Sequence, residues 1–544
     1  MNVNQRLRKI LPLLLIVALA AFLRFYHLVD LPAGLHGDEA ISGLEARRIL
    51  QQGSIGPYSP LALGQPSGPL YLFTVPLKVF GNTIFALRCL TASIGTLTVL
   101  LFYFVLRRPL GAATALTGAA LLAVANWHIH FARIAFPLET WPFCVLLATW
   151  ALCEAAHHVK WYWWAVTGAA VGLGIYSYNA HSLFLAIISI CAFSYIFRCK
   201  AVPWRTRAVW PAAYVGTLFG AAAGIILYAA NPRNGYFQHF RMLSLFQQEE
   251  WLSLESPFSK AMLLGQRYVQ YWDHLSWHPQ LDGADGTGVG AIVPWPMLLL
   301  MLIGVAISWR RQRENVLVWL GTMMIVLMPI AAVITTDGLA RRTLALLPFL
   351  VMFTAIALVS MARWATKQIP KRRRTLAMAT VTGLALLTVL QNLEVYFRQF
   401  AQSRPNTWVF TEELTDASLW MRQLPASYYV YFYSDRWAHD YPTRLYLSPF
   451  TRIENRSHEF GQWSLASEHA KGIPAFVLLG EYQRYIRDLQ QMYPGGTVIT
   501  GKLMNWKEPS APQGTRNYSF MVYLPEGPLK NPVDSRSISQ TWIP

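Results

Sequence analysis

Leu35-His36-Gly37-Asp38-Glu39-Ala40 sets two adjacent carboxylates just after an apolar run near 9–29 and ahead of a shorter one, Leu70–Phe80. Beside a bilayer a carboxylate is costly and is kept where it binds or transfers something. The plain alternative is a helix start, because Asp favours a helix's N-terminal turn. The surroundings decide between them, and they are those of a membrane protein.

Of 544 residues, 54% are hydrophobic and only 14% are charged, against about 25% charged in a soluble globular chain. The formal net charge of +18 raises nucleic-acid binding. The basic residues lie between apolar runs, however, where they set topology and meet anionic headgroups. No zinc-finger, helix-turn-helix or RNA-binding signature accompanies them, so no nucleic-acid partner is expected. Cys89, Cys144, Cys153, Cys191 and Cys199 fall in or beside apolar runs. They show no metal-ligand spacing and read as small hydrophobes. No metal and no other cofactor is expected, and the C-terminal third folds without disulfides.

A span needs about 17–25 apolar residues. Roughly eleven runs qualify by that length, near 9–29, 85–106, 110–127, 135–156, 161–179, 181–198, 208–229, 291–308, 315–335, 341–362 and 375–392. The first reads as an uncleaved anchor. With the N-terminus inside, the inner loops hold Arg107-Arg108, Lys160, the stretch Arg198 to Arg207, Arg310-Arg311-Arg313 and Lys371-Arg372-Arg373-Arg374. The short outer loops hold only Arg133 and Arg341-Arg342. That asymmetry fits the positive-inside rule. Leu70–Phe80 is too short to cross and reads as a helix in the outer interface.

The expected fold is therefore an α-helical polytopic membrane bundle over 1–394, with outer loops at 30–84 and 230–290. A soluble α/β domain at 395–544 follows, on the extracytoplasmic side of a plasma (inner) membrane. In that domain Thr411–Leu424 and Tyr482–Tyr493 read as helices, and Tyr428–Tyr433, Ala475–Leu479, Thr497–Leu503 and Tyr518–Leu524 as strands. Such alternation gives layered α/β structure.

Charged and polar groups recur at the outer ends of the spans: Arg24, His27, Asp38, Glu39, Arg133, Glu139, Tyr176, Tyr178, Asn179, His181, Arg233, Asp337, Arg341 and Arg342. All can face one outer cavity. Arginines bind phosphate bidentately, and a carboxylate can take the proton of an attacking hydroxyl. Together they suggest group transfer from a lipid phosphate. Each has a structural alternative: headgroup anchors for Arg133, Arg341 and Arg342, a hydrogen-bonded interface residue for His181, a turn for Arg233. The Trp161–Trp164 cluster reads as an inner aromatic belt. His157-His158 and His128-x-His130 lack a third ligand nearby.

Leu35–Gly53, followed by Gly64-Gln65-Pro66-Ser67-Gly68-Pro69-Leu70-Tyr71, resembles the first loop of polyprenyl-phosphate-dependent GT-C glycosyltransferases. The pattern is nearest to protein O-mannosyltransferases and the aminoarabinose transferases of lipid A. Phe131-Ala132-Arg133-Ile134-Ala135-Phe136 with Glu139 resembles their second loop, and Arg341-Arg342-Thr343-Leu344-Ala345-Leu346-Leu347-Pro348-Phe349 their late Arg-x-x-Leu-Pro stretch. The resemblance covers roughly the first 400 residues. It implies that Asp38 is the general base, that Glu39 orients the acceptor or Asp38, and that Arg341 or Arg342 holds the donor phosphate, with Arg133 lining the site. Glu139, His181, Tyr178 and Arg233 are further substrate-binding candidates. Two positions depart from the pattern: Gln65 stands where the aminoarabinose transferases carry a Lys, and Glu139 where an Asp is usual.

The implied activity is inverting transfer of a sugar from a polyprenyl-phosphate donor to an envelope lipid, glycan or protein, with membrane lipids around the donor. A transporter or flippase for an anionic or lipid-linked substrate is the alternative. It calls for mid-bilayer charges and two similar halves, and neither is evident. A membrane-anchored binding protein has no need of charged rings at the bundle mouth. An oligosaccharyltransferase-like enzyme with a divalent metal calls for a second acidic cluster.

Overall fold

The apolar runs fold as helices because inside a bilayer only a helix or a closed barrel satisfies its own backbone. The computed structural model describes residues 3–61, 64–199, 202–278, 283–284, 286–336, 340–403, 408–457, 471–504 and 518–527, without the side chains of 3–9, 239, 371 and 372. The N-terminal helices are α1 (Val3–Phe25), α2 (Gly37–Gln52), α3 (Gly68–Phe80), α4 (Ile84–Leu110), α5 (Ala112–Val124), α6 (Asn126–Arg133), α7 (Thr140–His158), α8 (Trp161–Gly174) and α9 (His181–Arg198).

Among the described residues six helices are long and apolar enough to cross a bilayer: Ile84–Leu110, His181–Arg198, Trp204–Ala230, Val316–Val333, Ala340–Gln368 and Arg373–Phe400. The pair α5 and α6, bent by 57°, makes a seventh if it is one broken span. The other four expected runs are α1, α7, α8 and Trp295–Arg311, which are helical but shorter or less apolar. Length and composition thus stop short of eleven crossings.

Contacts divide the chain into two compact units. The first comprises Met1–Leu28, Gln52–Leu72 and Arg88–Gln402. Its central helix, Leu347–Gln368, is buried at every residue from Leu347 to Leu358, as expected of a helix apolar all round. Helices close on one another through glycine. Gly168 of α8 lies on the Tyr214 carbonyl and Gly172 on that of Leu218, so Gly168-Ala-Ala-Val-Gly172 seats the helix Val209–Ala230. Small residues four apart admit this backbone approach. Outward faces carry exposed Leu14, Leu15, Leu173, Phe197, Leu227, Leu302 and Leu390, a surface that suits hydrocarbon rather than water. In the expected outer loop, the helix Pro257–Ser276 places Arg267 on the carbonyls of Val333, Thr335 and Thr336. This ties the loop to the end of a spanning helix. The antiparallel pair β1 (Tyr58–Ser59) and β2 (Gln65–Pro66) leads into α3.

The second unit comprises Val29–Gln51, Phe73–Leu87 and Ser403–Pro544. It holds β3 (Tyr428–Tyr433), β4 (Ile453–Asn455), β5 (Ile473–Leu478), β6 (Thr497–Thr500) and β7 (Met521–Leu524) in one five-stranded sheet of order β4-β3-β5-β7-β6. The β3–β4 and β3–β5 pairs are parallel, and β7 runs antiparallel to β5 and β6. Residues alternate between faces. Tyr428, Val430 and Phe432 join Leu414, Ala417 and Met421 of the helix Glu412–Met421. Tyr431 and Tyr433 face the other way, with Leu489 and Tyr493. Both faces are covered, the condition under which parallel strands occur.

The expected α/β layering is present, with some boundaries moved. The run 482–493 is a 3₁₀ turn Gly480–Tyr485 followed by a helix Ile486–Met492. A helix at Pro442–Leu447 and strand β4 were not anticipated. Pro442 starts that helix at a position where proline's missing N–H is harmless.

Candidate active site

The acidic pair opens α2, and its two carboxylates take different environments. The backbone N–H of Asp38 donates to His36 Nδ1 at 3.0 Å, and the backbone N–H of His36 donates to Glu39 Oε1 at 3.1 Å. That reciprocal exchange is a capping box with histidine in the cap position. Glu39 is wholly buried, whereas the Asp38 side chain is 41% exposed.

The strand of chain ahead of the pair is fixed within the second unit. Leu35 donates its N–H to Thr415 Oγ1 at 2.9 Å, and its carbonyl accepts from Thr411 Oγ1 at 2.8 Å and Thr443 Oγ1 at 2.9 Å. Gly34, at φ +87°, lies on the Phe410 carbonyl, so a side chain there meets both a forbidden conformation and backbone. The hydroxyl end of Tyr441 comes up against Gly37, where an added Cβ would come within 2.7 Å of its hydroxyl. Burial, reinforced by the charge of Asp38, raises the Tyr441 phenol above its ordinary pKa.

The other candidates belong to the first unit. Arg133 is the last residue of α6 and wholly buried. Its guanidinium donates to the carbonyls of Leu23 (2.8 Å), Arg24 (3.2 Å) and His27 (3.1 Å), closing the C-terminal end of α1. Arg24, in the last turn of α1, donates in return to the carbonyls of Leu122 (3.4 Å) and Ala123 (3.0 Å) at the end of α5. Arg133 thus caps the end of α1, and Arg24 caps the end of α5, the helix just before Arg133's own.

Arg24 Nη2 also donates to His128 Nδ1 at 2.8 Å. With that nitrogen accepting, the neutral ring carries its proton on Nε2, which faces Glu139 Oε1 at 3.8 Å. Arg24, His128 and Glu139 are all wholly buried. Among the described residues neither Glu139 oxygen has a hydrogen-bond partner. Gly95 makes room for the cluster: a Cβ there would sit 2.5 Å from Ala132 and 2.7 Å from Glu139 Oε1. Arg24 and Glu139 were both visible as charges at span ends, but their pairing through His128 was not, because the three are far apart in the chain.

Arg341 and Arg342 lie on a 3₁₀ turn, Ala340–Leu346, Arg341 partly exposed and Arg342 7% exposed. The turn is held by Tyr271, whose hydroxyl meets Thr343 Oγ1 at 2.7 Å. His181 is wholly buried, its Nε2 2.9 Å from the Val171 carbonyl and its ring against Gly174. That is a helix-to-helix contact. Tyr178 is partly buried, its ring centroid 5.2 Å from that of Trp141. Arg233 is exposed on a 3₁₀ turn whose cap is Asn231. Gly68 sits against Tyr176, and Asn179 reaches the Gly64 carbonyl at 3.4 Å, so the stretch Gly64–Tyr71 packs on the segment around Tyr178. Trp164, expected in an aromatic belt, is wholly buried and stacked on Trp210. Asp337 and part of the run Asp282–Gly288 lie outside the described residues. No group of three His, Cys, Asp or Glu suited to a metal ion occurs among the described residues.

Residues 65–226 match the family model of dolichyl-phosphate-mannose-protein mannosyltransferases. No curated protein matches the chain by sequence. Among solved structures, ArnT from Cupriavidus metallidurans bound to undecaprenyl phosphate is similar over 94% of this chain and 98% of its own, at 13% identity and a TM-score of 0.50. The oligosaccharyltransferase of Archaeoglobus fulgidus is similar over 85% of this chain at 14% identity and a TM-score of 0.51. The match spans 66% of the archaeal enzyme's length. The chain thus has the GT-C fold that these solved structures share.

Proposed function

We propose that the chain transfers a sugar from a polyprenyl-phosphate donor to a hydroxyl of an envelope lipid, glycan or protein, on the extracytoplasmic face of the inner membrane. The observation that carries this is the division of labour in the acidic pair: Glu39 is tied into the cap of α2, while Asp38 offers an accessible carboxylate at the same helix end. The family match over 65–226 and the shared fold point to the same reaction class.

In this reading Asp38 takes the acceptor's hydroxyl proton as the oxygen attacks the anomeric carbon. The new glycosidic bond forms as the bond to the phosphate oxygen breaks, and the lipid phosphate leaves with the electron pair. Attack opposite the leaving group inverts the anomeric centre. A phosphate monoester has a second pKa near about 6, so it departs without a strong acid. Cationic groups aimed at the developing charge supply a large share of such acceleration. Arg342 and Arg341 are proposed for that role. Arg133 is better suited to positioning, since its guanidinium is already hydrogen-bonded to three carbonyls. The N-terminus lies in the cytosol in this scheme.

The test is mass analysis of envelope glycans, lipids and proteins in cells lacking the gene, then complemented with wild-type or Asp38→Asn protein. One sugar should disappear on deletion and return with wild-type only. Its return with Asp38→Asn overturns the assignment.

A further inference from the structure

We propose that Tyr441, Trp437 and Trp408 form an aromatic wall beside Asp38 that receives the acceptor, and that the acceptor there is itself a carbohydrate. The inference rests on the reading of Asp38 as the base and adds the acceptor's chemical class.

The wall begins at the reacting end of α2. Gly37 has no side chain, and the Tyr441 ring fills that space, its hydroxyl 2.7 Å and its Cζ 3.1 Å from where a Cβ would be. Tyr441 therefore lies one residue from Asp38, with its hydroxyl near the pair. The Trp437 ring follows, its centroid 5.2 Å from Tyr441 and tilted by 63°. Trp408 comes next at 6.1 Å and 69°. Tyr441 and Trp437 are half-buried and packed against the sheet core. Trp408 is 57% exposed, and it is the one exposed Trp or Tyr among the described residues of 403–527. Arg436, whose guanidinium lies 5.5 Å from the Trp408 ring centre, is paired with Glu413 at 3.2 Å and holds that ring from behind.

Flat rings with one polar end suit a sugar. Its C–H face lies on an aromatic face, while its hydroxyls reach outward to polar groups. The steps between rings are about the width of a sugar ring, so more than one residue of a glycan has a place. A lipid acceptor calls for a continuous apolar trough, whereas this wall ends among Arg436, Asp435 and Glu413. A peptide acceptor calls for backbone donors and acceptors, and the wall offers side-chain rings.

The test is saturation-transfer NMR on the full chain in lipid nanodiscs, without donor. The probes are maltotriose, α-1,6-mannotriose, N,N′-diacetylchitobiose and a hexapeptide containing Ser and Thr. At least one oligosaccharide should receive saturation at its ring C–H protons. Trp408→Ala should weaken it by about tenfold with an unchanged melting temperature, and Tyr441→Phe, which keeps the ring, should retain most of it. No saturation of any oligosaccharide, equal saturation in Trp408→Ala, or saturation of the peptide alone overturns the wall. The two readings fail separately. Loss of transfer in Asp38→Asn with sugar contact unaffected by Trp408→Ala removes the wall and leaves the base. Sugar contact that depends on Trp408, with normal transfer by Asp38→Asn, removes the base and leaves the wall.

Discussion

Glu39 accepts a hydrogen bond from the backbone N–H of His36 at 3.1 Å, while its neighbour Asp38 stands 41% exposed. Two carboxylates adjacent in sequence therefore have unequal surroundings. Asp38→Asn should leave insertion and donor binding intact and lower transfer by roughly 10²–10⁴-fold, the usual contribution of a general base. Glu39→Gln keeps an acceptor oxygen for the cap and should retain most activity. Glu39→Ala should cost about 1 kcal/mol of stability. Transfer rates and melting curves of the three variants, measured side by side, check the contrast; equal losses in Asp38→Asn and Glu39→Gln would remove it.

Arg133 and Arg342 should separate in the same way. Arg133→Ala leaves helix-end carbonyls without their donor, and each charge-assisted bond is worth about 1.5–3 kcal/mol. Its melting temperature should fall, with donor affinity per folded molecule preserved. Arg342→Ala should melt normally and bind polyprenyl-phosphate sugar roughly tenfold or more weakly. A thermal shift paired with a donor-binding isotherm distinguishes them.

Glu413 gives the C-terminal domain a pH dependence. Burial pushes its carboxyl up to about 7, with Arg436 pulling the other way and Asp435 and Glu412 pushing up. A raised folded value means that the protonated form is the better accommodated one. Its contribution is complete below the unfolded value and is lost as pH rises through about 7. Between pH 5 and pH 8 the domain should lose up to roughly 3 kcal/mol from this group. Glu413→Gln should flatten the profile, as read by denaturant midpoints across that range.

Gly168→Leu tests helix contact within the first unit. Gly168 touches the Tyr214 carbonyl, so a large side chain must part α8 from the helix Val209–Ala230. Overpacking of this kind costs about 1–3 kcal/mol. The variant should insert but melt earlier. Gly220→Leu, whose Cβ meets nothing within 4 Å, is the control that should not.

Apolar periodicity made the helices legible, and alternation made the sheet legible: β3 lies where Tyr428–Tyr433 was expected, and β5 starts two residues before its expected range and ends one residue before it. These signals are local. What escaped was every arrangement made by residues far apart in the chain. Arg133 read as a headgroup anchor or phosphate ligand, yet its donors meet the carbonyls of α1. His128 read as half of an incomplete metal motif, yet it bridges Arg24 and Glu139. Tyr441 stands out only through its contact with Gly37. Hydrogen bonds between carbonyls and remote guanidinium groups leave no periodic trace in a sequence.

Leu35 is moored by Thr411, Thr415 and Thr443, so the acidic pair and the sheet belong to one compact body although β3 starts 389 positions after Glu39 in the chain. A swap of tails at residue 395 between relatives would sever those moorings and leave Asp38 on an unfamiliar berth. Chimaeras that exchange 29–51 and 73–87 along with 403–544 should stay active where simpler cuts fail. Evolution would meet the same barrier: if Asp38 is the base and the aromatic wall receives the acceptor, the two would have to drift together, as a single inherited cassette.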